Sequence, residues 1–313
     1  MGRIQRIQRH VESHKDKLGQ NAREQGSDRP EPTSVLARFY YALRIHIHKK
    51  RWLLRYSQVV RGWWILGPLR PYAIRYHQQH THNQPLHIDR HEIFPKLDVN
   101  HVVDALNQHG YANGVQVPEE YVEQIVKYCA STGLMKYWNP HKECEAIDRL
   151  ARNAKVVEIA KRYLGAEPIL WLTQLRWSFG DSNEQRKVLP SLHQEPLQYD
   201  GDAFHYDTLD FKSLTIFVYL TDVDPDSGPH VVVEGTQKKS IGEIFRIILG
   251  DADAQRKFGN RIKMILGRKG TVLFEETSAY HKAARCRTKR LMLSIDYVLQ
   301  RPPPPERPRL VRA

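Results

Sequence analysis

The spacing of apolar residues changes once along the chain, near Gly165, and this change constrains the fold more than any other feature. Before it, apolar residues recur at helical spacing, most clearly from Lys155 to Leu164, and Gly165 is a typical residue to end such a helix. After it, apolar and polar residues alternate, as in strands with one buried face. Short helices followed by many short strands predict an α+β fold whose strands close into a barrel or jelly roll.

The strand pattern recurs in six segments of the second half of the chain. They are separated by polar stretches, of which 181–200 and 240–268 are interpreted as loops that line a substrate pocket. Two further helices are predicted in the first half, one ending at Gly110 and one beginning at Pro118. The predicted strands are Ile169 to Phe179, Ala203 to Tyr206, Ser213 to Leu220, His230 to Val233, Thr271 to Phe274 and Leu291 to Leu299.

The basic charge of the chain is confined to its ends. Residues 1–90 contain 17 Lys+Arg and 6 Asp+Glu, a net charge of +11, and residues 301–313 add +3, whereas residues 91–300 sum to −1. A near-neutral body therefore carries basic attachments. We predict four segments: a frayed or disordered basic tail (1–33), a basic, aromatic-rich helical extension with a His-rich connector (34–96), a compact domain (97–300) and a Pro/Arg-rich tail (301–313).

The extension mixes arginines with Trp and Leu, and three interpretations of it stay open. A helix is predicted from Ser34 to Ile47, and Arg70-Pro71 is interpreted as a break after the apolar run. The aromatics of residues 34–76 could pack onto the body, contact an anionic membrane surface, or stack on nucleic-acid bases. No nucleic-acid-binding motif is present, so nucleic acid is the least favoured partner.

The cysteines and the hydropathy indicate the compartment. The three cysteines lack CxxC spacing, so neither a disulfide framework nor a zinc knuckle is expected. No stretch of about 18 or more apolar residues occurs, and the N-terminus lacks the apolar run of a secretory signal. We therefore predict a cytoplasmic protein, with its basic extension at the inner membrane surface if the membrane interpretation holds.

The candidate chemistry lies in Phe204-His205-Tyr206-Asp207. Alternate side chains of a strand share a face, so His205 and Asp207 can bind one metal from a single strand. His281, which follows a buried-looking strand and a polar connection, is the candidate third ligand. Two imidazoles and one carboxylate leave coordination positions open, as an oxygen-activating Fe(II) site requires. This donor set alone does not exclude Zn or Mn.

A second candidate feature is Arg290, nine residues after His281, at the head of an apolar strand. A guanidinium holds a carboxylate by two parallel hydrogen bonds, and its charge is permanent. It could therefore hold the distal carboxylate of 2-oxoglutarate. Arg285 and Arg287 lie in the same basic loop and are alternatives, but Arg290 is favoured because it adjoins the strand.

Two blocks of sequence carry a family resemblance. FHYDTLDFKSLTIFVYLTDVDPDSGPHVVVEGTQKK (204–239) and TVLFEETSAYHKAARCRTKRLMLSIDYVL (271–299) resemble the core of the phytanoyl-CoA dioxygenase-like family. The shared features are HxD, an apolar strand ending in Leu-Thr-Asp-Val, Asp-Ser-Gly-Pro, a Gly-Thr where Gly-Ser is usual, and a distal His followed by Arg. The blocks cover about a fifth of the chain, and residues 1–90 lie outside the likeness.

The resemblance implies a fold, a set of cofactors and an activity. The fold would be a double-stranded β-helix, a cupin-like jelly roll with flanking helices. Fe(II) would be held by His205, Asp207 and His281, and 2-oxoglutarate by Arg290. With O2 as the other co-substrate, such an enzyme hydroxylates an unactivated carbon of a small-molecule or lipid-like substrate and releases succinate and CO2. The alternative function is a catalytically silent β-helix protein that acts as a binding or membrane-associated scaffold.

Other polar residues near these motifs receive plainer interpretations. His230 is expected at a turn-to-strand junction near the mouth, and Glu275 and Glu276 are expected to be structural. His193 and Gln194 precede the HxD motif and are candidates for lining the pocket. A histidine cluster in the connector lacks paired zinc spacing and is interpreted as solvated: His77, His80, His82, His87 and His91.

Overall fold

A computed structural model describes residues 62–63, 65–133, 135–180 and 203–302. Its helices are α1 (Arg70–His80), α2 (Val99–His109), α3 (Glu119–Thr132), α4 (Glu145–Arg152), α5 (Ala154–Leu164), α6 (Ile241–Ile244) and α7 (Asp251–Phe258). Its strands are β1 (Tyr111–Gln116), β2 (Lys136–Trp138), β3 (Ile169–Phe179), β4 (Phe204–His205), β5 (Ser213–Tyr219), β6 (His230–Val233), β7 (Ile248–Leu249), β8 (Ile262–Ile265), β9 (Thr271–Glu275), β10 (His281–Ala283) and β11 (Lys289–Val298).

The strands form two antiparallel sheets. The large sheet has the order β1-β9-β5-β11-β3-β2, and the small sheet has the order β7-β4-β10-β6-β8. Strands that are neighbours in space are far apart in sequence, so most pairs need long connections. Helices that precede a set of antiparallel strands confirm the predicted α+β class.

The large sheet buries one face against the helices. Alternate residues of β5, β9 and β11, among them Ile216, Phe274 and Leu293, point into the main hydrophobic cluster. Helices α2 to α5 supply the other side of that cluster through residues such as Leu106 and Ile159. The alternation within each strand is the direct consequence of the two-residue period, which sends the intervening side chains to the opposite face.

The opposite face of the large sheet meets the small sheet. Leu273 of β9, Tyr219 of β5 and Met292 of β11 pack with Val232 of β6 and Ile265 of β8. The two sheets thus face each other across a small apolar cluster. Because the inward side chains at the edge of this cluster are polar, the space between the sheets is where a functional site can form.

The outer face of the small sheet is covered by short elements. Phe204 and Val233 of this sheet pack with Ile244 of α6 and Phe258 of α7, and with Leu66. Leu66 comes from the part of the predicted extension that the structure describes. That part therefore shares a core with the sheets, which favours the interpretation in which the extension packs onto the body.

Arg70, at the start of α1, fixes the extension to three separate segments of the body. Its Nε and Nη1 donate to the carbonyls of Phe211 (2.8 Å) and Gln237 (2.7 Å). Its Nη2 donates to the carboxylate of Glu276 and lies 3.4 Å from Ser278 Oγ. Since both partners are largely buried, this pair is more than a surface contact. We call these contacts the Arg70 clamp.

Most predicted elements are present, and two interpretations are wrong. The predicted strands and the helix ending at Gly165 all occur, with ends that differ by at most two residues. Residues 240–268 are not a loop, because they contain α6, β7, α7 and β8. Arg70-Pro71 does not break the chain but starts α1, since proline is well tolerated in the first turn of a helix, where no backbone donor is lost.

Some predictions fall outside the described residues. These are the helix from Ser34 to Ile47, the pocket loop 181–200 with its candidates His193 and Gln194, and the two tails apart from residues 301–302. Within the described part of the chain, every helix is too short or too polar to cross a bilayer.

Candidate metal centre

The sheet places His205 and His281 directly opposite each other. β4 and β10 are neighbours, and their register pairs His281 with His205, so both side chains lie on the same face. The ring centroids are 4.5 Å apart. Asp207 follows two residues after His205, and its backbone N–H donates to the carbonyl of Thr277 (2.8 Å). This bond joins the two segments that carry the candidate ligands.

The three ligand atoms fit one metal ion. One atom from each of His205, Asp207 and His281 lies within 4.8 Å of the others, and Asp207 Oδ2 is 3.6 Å from His281 Nε2. Two atoms bound to one metal at about 2.1 Å can be at most about 4.2 Å apart, so only a small inward movement is needed. Two imidazoles and one carboxylate on one face form the facial arrangement used by non-haem Fe(II) oxygenases.

Both imidazoles are held in the tautomer that a metal needs. Nδ1 of His205 is 3.3 Å from the carbonyl of Ala203, and Nδ1 of His281 is 3.0 Å from the carbonyl of Ala279. A carbonyl can only accept, so each Nδ1 carries the proton and each Nε2 keeps its lone pair. The same two-residue contact thus orients both rings.

The candidate ligand His281 is kept neutral by its surroundings, and the candidate site is open to solvent at Asp207. Burial, followed by the charge of His205, lowers the pKa of His281 to about 4, so its imidazole is neutral at neutral pH, with its single ring proton on Nδ1. Asp207 keeps 42% of its side chain exposed, whereas His281 is buried. An ion here would be held from the protein side and remain reachable from solvent.

Arg290 is buried between the sheets without a carboxylate. Only 3% of it is exposed, its Nη1 donates to the carbonyl of Gly228, and its Nε has no hydrogen-bond partner. Burial lowers its pKa, because a low dielectric disfavours the charged form. The charge of Arg290 also helps to lower the pKa of His230, whose ring stacks on His281. A buried guanidinium with an unused donor beside a candidate metal centre fits a carboxylate ligand.

The two alternative arginines lie on the surface. Arg287 is 69% exposed, and its Nη1 is 2.7 Å from Asp226 Oδ1. Arg285 is also exposed. Of the three, Arg290 alone is buried, and its charge acts on His230, whose ring stacks on the candidate ligand His281.

Three polar residues beside the centre were not predicted as parts of a site. His230 is buried rather than at the mouth, and its Nε2 lies 2.6 Å from Oε2 of Glu275. Asp296 is buried on the inner face of β11 and accepts a hydrogen bond from Thr215 (2.8 Å). The only sequence signal for these residues is the alternation of side chains along a strand. It places Glu275 and Asp296 on the inner face once the strands are known.

The described histidines of the extension lie outside the one group of side chains that brings ligand atoms together. His77 and His80 lie on α1, and the ring of His77 stacks on Phe211 at 5.1 Å. In the part of the chain that the structure describes, only one group of His, Cys, Asp or Glu side chains brings ligand atoms together, and it contains none of these histidines.

Comparisons with known proteins give matches only among solved structures. No protein-family model and no curated protein sequence matches the chain. The resemblance to the phytanoyl-CoA dioxygenase-like family therefore stays a prediction.

Three of the matching structures illustrate the likeness. EctD from S. alaskensis with bound Fe is 16% identical, with a TM-score of 0.47 over 74% of this chain and 88% of that one. HygX from Streptomyces hygroscopicus with nickel and 2-oxoglutarate bound is 14% identical, with a TM-score of 0.46 over 63% and 85%. The non-heme alpha ketoglutarate dependent epimerase SnoN is 14% identical, with a TM-score of 0.44 over 64% and 80%. Likeness at this level does not determine what this chain does.

Proposed function

We propose that the chain is an Fe(II)- and 2-oxoglutarate-dependent oxygenase. The observation that carries the proposal is the convergence of His205, Asp207 and His281 from neighbouring segments onto one point, with both imidazoles presenting Nε2. The buried, carboxylate-free Arg290 supports the second part, because a dianionic co-substrate would supply the missing counter-charge. The two facing antiparallel sheets support a double-stranded β-helix as the scaffold.

Each residue has a separate task in the proposed reaction. His205, Asp207 and His281 would hold the metal, and the site is open to solvent on the side of Asp207. When bound, Fe(II) and 2-oxoglutarate supply the oxidising chemistry, with release of succinate and CO2. Arg290 orients the co-substrate through its distal carboxylate, and the apolar cluster between the sheets excludes water. The proposed outcome is hydroxylation of an unactivated carbon in a small-molecule or lipid-like substrate.

Metal and co-substrate binding test the proposal. We expect the purified protein to bind one Fe(II) per chain without oxygen and then to bind 2-oxoglutarate. His205→Ala and Asp207→Ala should abolish both, since each removes one of three protein ligands. His101→Ala, an exposed histidine on α2, is the matched control and should bind like the wild type. Wild-type binding by both ligand variants would refute the assignment.

Turnover separates the enzyme from a catalytically silent scaffold. We expect a screen of small metabolites to reveal at least one that gains one oxygen atom only when Fe(II) and 2-oxoglutarate are both present. Succinate should form in step with that product. Binding of metal and 2-oxoglutarate with no succinate under any condition would instead favour the scaffold.

A further inference from the structure

Glu275 is a buried acid beside the candidate metal centre that the proposed reaction does not use. It ends β9 on the face that meets the small sheet, and none of its surface is exposed. Its Oε1 lies 3.7 Å from Nδ1 of His281, on the side of the ring away from the proposed metal. Its Oε2 lies 2.6 Å from Nε2 of His230, yet neither carboxylate oxygen makes an aligned hydrogen bond.

The imidazole ring of His230 packs against one face of the ring of the proposed ligand His281. Its ring lies nearly parallel to that of His281, at 14° and 5.5 Å between centroids. Phe217 packs against it at 4.8 Å. Its backbone N–H donates to the hydroxyl of Tyr219 (3.0 Å), which fixes the start of β6. The imidazole of His281 therefore has His230 on one face and Glu275 at its Nδ1 edge.

The cost of burying Glu275 points to a role that appears with the metal. An ionised carboxylate without aligned donors is expensive to bury, and Glu275 has no exposed surface and no aligned donor among the described residues. A divalent cation at His281 would offset that cost through the ring. In turn, the Nδ1 proton of His281 is donated to the carbonyl of Ala279, and a carboxylate charge beside that bond makes the imidazole a stronger ligand.

Glu276, the next residue, is a buried acid with a structural role, because its carboxylate is hydrogen-bonded within the protein. Its carboxylate accepts hydrogen bonds from Arg70, from the hydroxyl of Tyr163 and from Ser278 Oγ (2.6 Å). It is nearly as buried as Glu275, but its partners are all present without a metal. Glu276 thus has its donors within the protein, whereas Glu275 has no aligned donor among the described residues and would gain a counter-charge from a bound metal.

We propose that Glu275 and His230 are positioning residues that hold the metal ligand His281 and strengthen its bond to the ion. The proposal rests on the metal centre proposed above. Glu275 acts at the Nδ1 edge of the ligand ring, and His230 acts as a rigid support that blocks rotation of that ring and orients the carboxylate.

Cobalt(II) binding to the full-length protein tests this role, because Co(II) gives a visible spectrum that reports ligand geometry. Glu275→Gln should weaken Co(II) binding by about 10- to 100-fold and shift the spectrum. The same variant should not lower the thermal stability of the metal-free protein, since it removes an uncompensated buried charge. His230→Phe should keep more of the wild-type spectrum than His230→Ala, because it keeps the flat support.

Glu276→Gln is the matched control. It should lower the thermal stability of the metal-free protein while leaving the Co(II) affinity and spectrum as in the wild type. A Glu275→Gln protein with wild-type affinity and spectrum would overturn the positioning role and leave the metal centre intact. A wild-type protein that binds no Co(II) or Fe(II) would instead refute the metal centre itself.

Discussion

At the scale of single residues, the space between the sheets contains charged groups that lack a counter-charge among the described residues. Arg290 has no carboxylate partner, and Asp296 accepts one hydrogen bond from Thr215 but has no cation nearby. Burial without compensation is unfavourable, so such groups are kept where a ligand makes use of them. The roles of Arg290 and Asp296 can each be tested by a substitution that removes the charge of the side chain.

The first prediction concerns Arg290. Arg290→Leu should weaken 2-oxoglutarate binding to the Fe(II)-loaded protein by about 2–5 kcal/mol, because it removes one partner of a buried charge pair. Arg290→Lys should restore only part of the affinity, since an ammonium cannot reproduce the two parallel donors. Calorimetric titration without oxygen gives the affinities.

Arg287→Leu is the control for that experiment. Arg287 is on the surface and already pairs with Asp226, so its removal should leave the affinity for 2-oxoglutarate close to that of the wild type. A larger loss in Arg287→Leu than in Arg290→Leu would move the carboxylate-binding role to the earlier arginine.

The second prediction concerns Asp296 and pH. Burial, with a further contribution from Asp207, raises the pKa of Asp296 from 3.8 to about 7. Between those values the folded state binds more protons than the unfolded state, so the stability due to this group is lost as pH rises. Asp296→Asn should therefore raise the free energy of unfolding of the metal-free protein, by up to about 4 kcal/mol at about pH 8 and by less at about pH 5.

Urea unfolding at several pH values measures this effect. Asp104→Asn, an exposed acid on α2, is the control and should track the wild type across the series. A gain in stability for Asp296→Asn that does not grow with pH would contradict the assigned cause.

At the scale of elements, the central strands of the large sheet were predictable, whereas the edge strands of both sheets and the short β10 were not. β3, β5, β9 and β11 each carry a run of apolar residues toward the helices, which gives a clear two-residue pattern. β1, β2, β7 and β8 are short or mostly polar, and they become strands only because a neighbour offers free backbone groups. Tertiary pairing, which a local pattern does not contain, decides these cases.

The same limit applies to the site. His205, Asp207 and His281 could be proposed from HxD spacing and a downstream histidine, and Arg290 from its place before a strand. His230 and Glu275 could not, because their roles depend on which strands become neighbours. Residues 230 and 275 meet only after the two sheets have packed face to face.

An element-scale prediction concerns the Arg70 clamp. Arg70→Leu removes the cation that is hydrogen-bonded to the buried Glu276 and should lower the free energy of unfolding by about 3–5 kcal/mol. Arg75→Leu, an exposed arginine on the same helix, should change it by no more than about 0.5 kcal/mol. Urea denaturation measures both. Equal stability of the two variants would show that α1 is dispensable.

At the scale of the whole molecule, the basic excess and the described hydrophobic cores occupy different parts of the sequence. Residues 1–61 contain 14 Lys+Arg and 5 Asp+Glu, a net charge of +9, so most of the basic excess precedes the described structure. The body from Leu66 onward shares its cores with the sheets. A truncation that tests the basic segment should therefore start at residue 62 rather than at residue 91, which would remove the Arg70 clamp.

We predict that the basic segment binds an anionic membrane surface. The full-length protein should sediment with anionic vesicles at low salt, and a chain of residues 62–313 should not, because each basic residue near such a surface contributes about 1 kcal/mol. Both proteins should bind 2-oxoglutarate equally. Neutral vesicles and high salt are the controls. If instead only the full-length protein binds RNA, with a steep salt dependence, the basic segment is a nucleic-acid module.

The Arg70 clamp also has a consequence for synthesis on the ribosome. The hydrogen-bond acceptors of Arg70 follow it in the sequence by 141, 167 and 206 residues. At about 5–20 residues per second, the last of them emerges roughly 10–40 s after Arg70. During that interval the guanidinium is unpaired, and the neighbouring Ile65 and Leu66 have no small sheet to cover them. The nascent chain therefore exposes apolar and positively charged side chains around Arg70 until most of the chain has been made. A chaperone would bind there first.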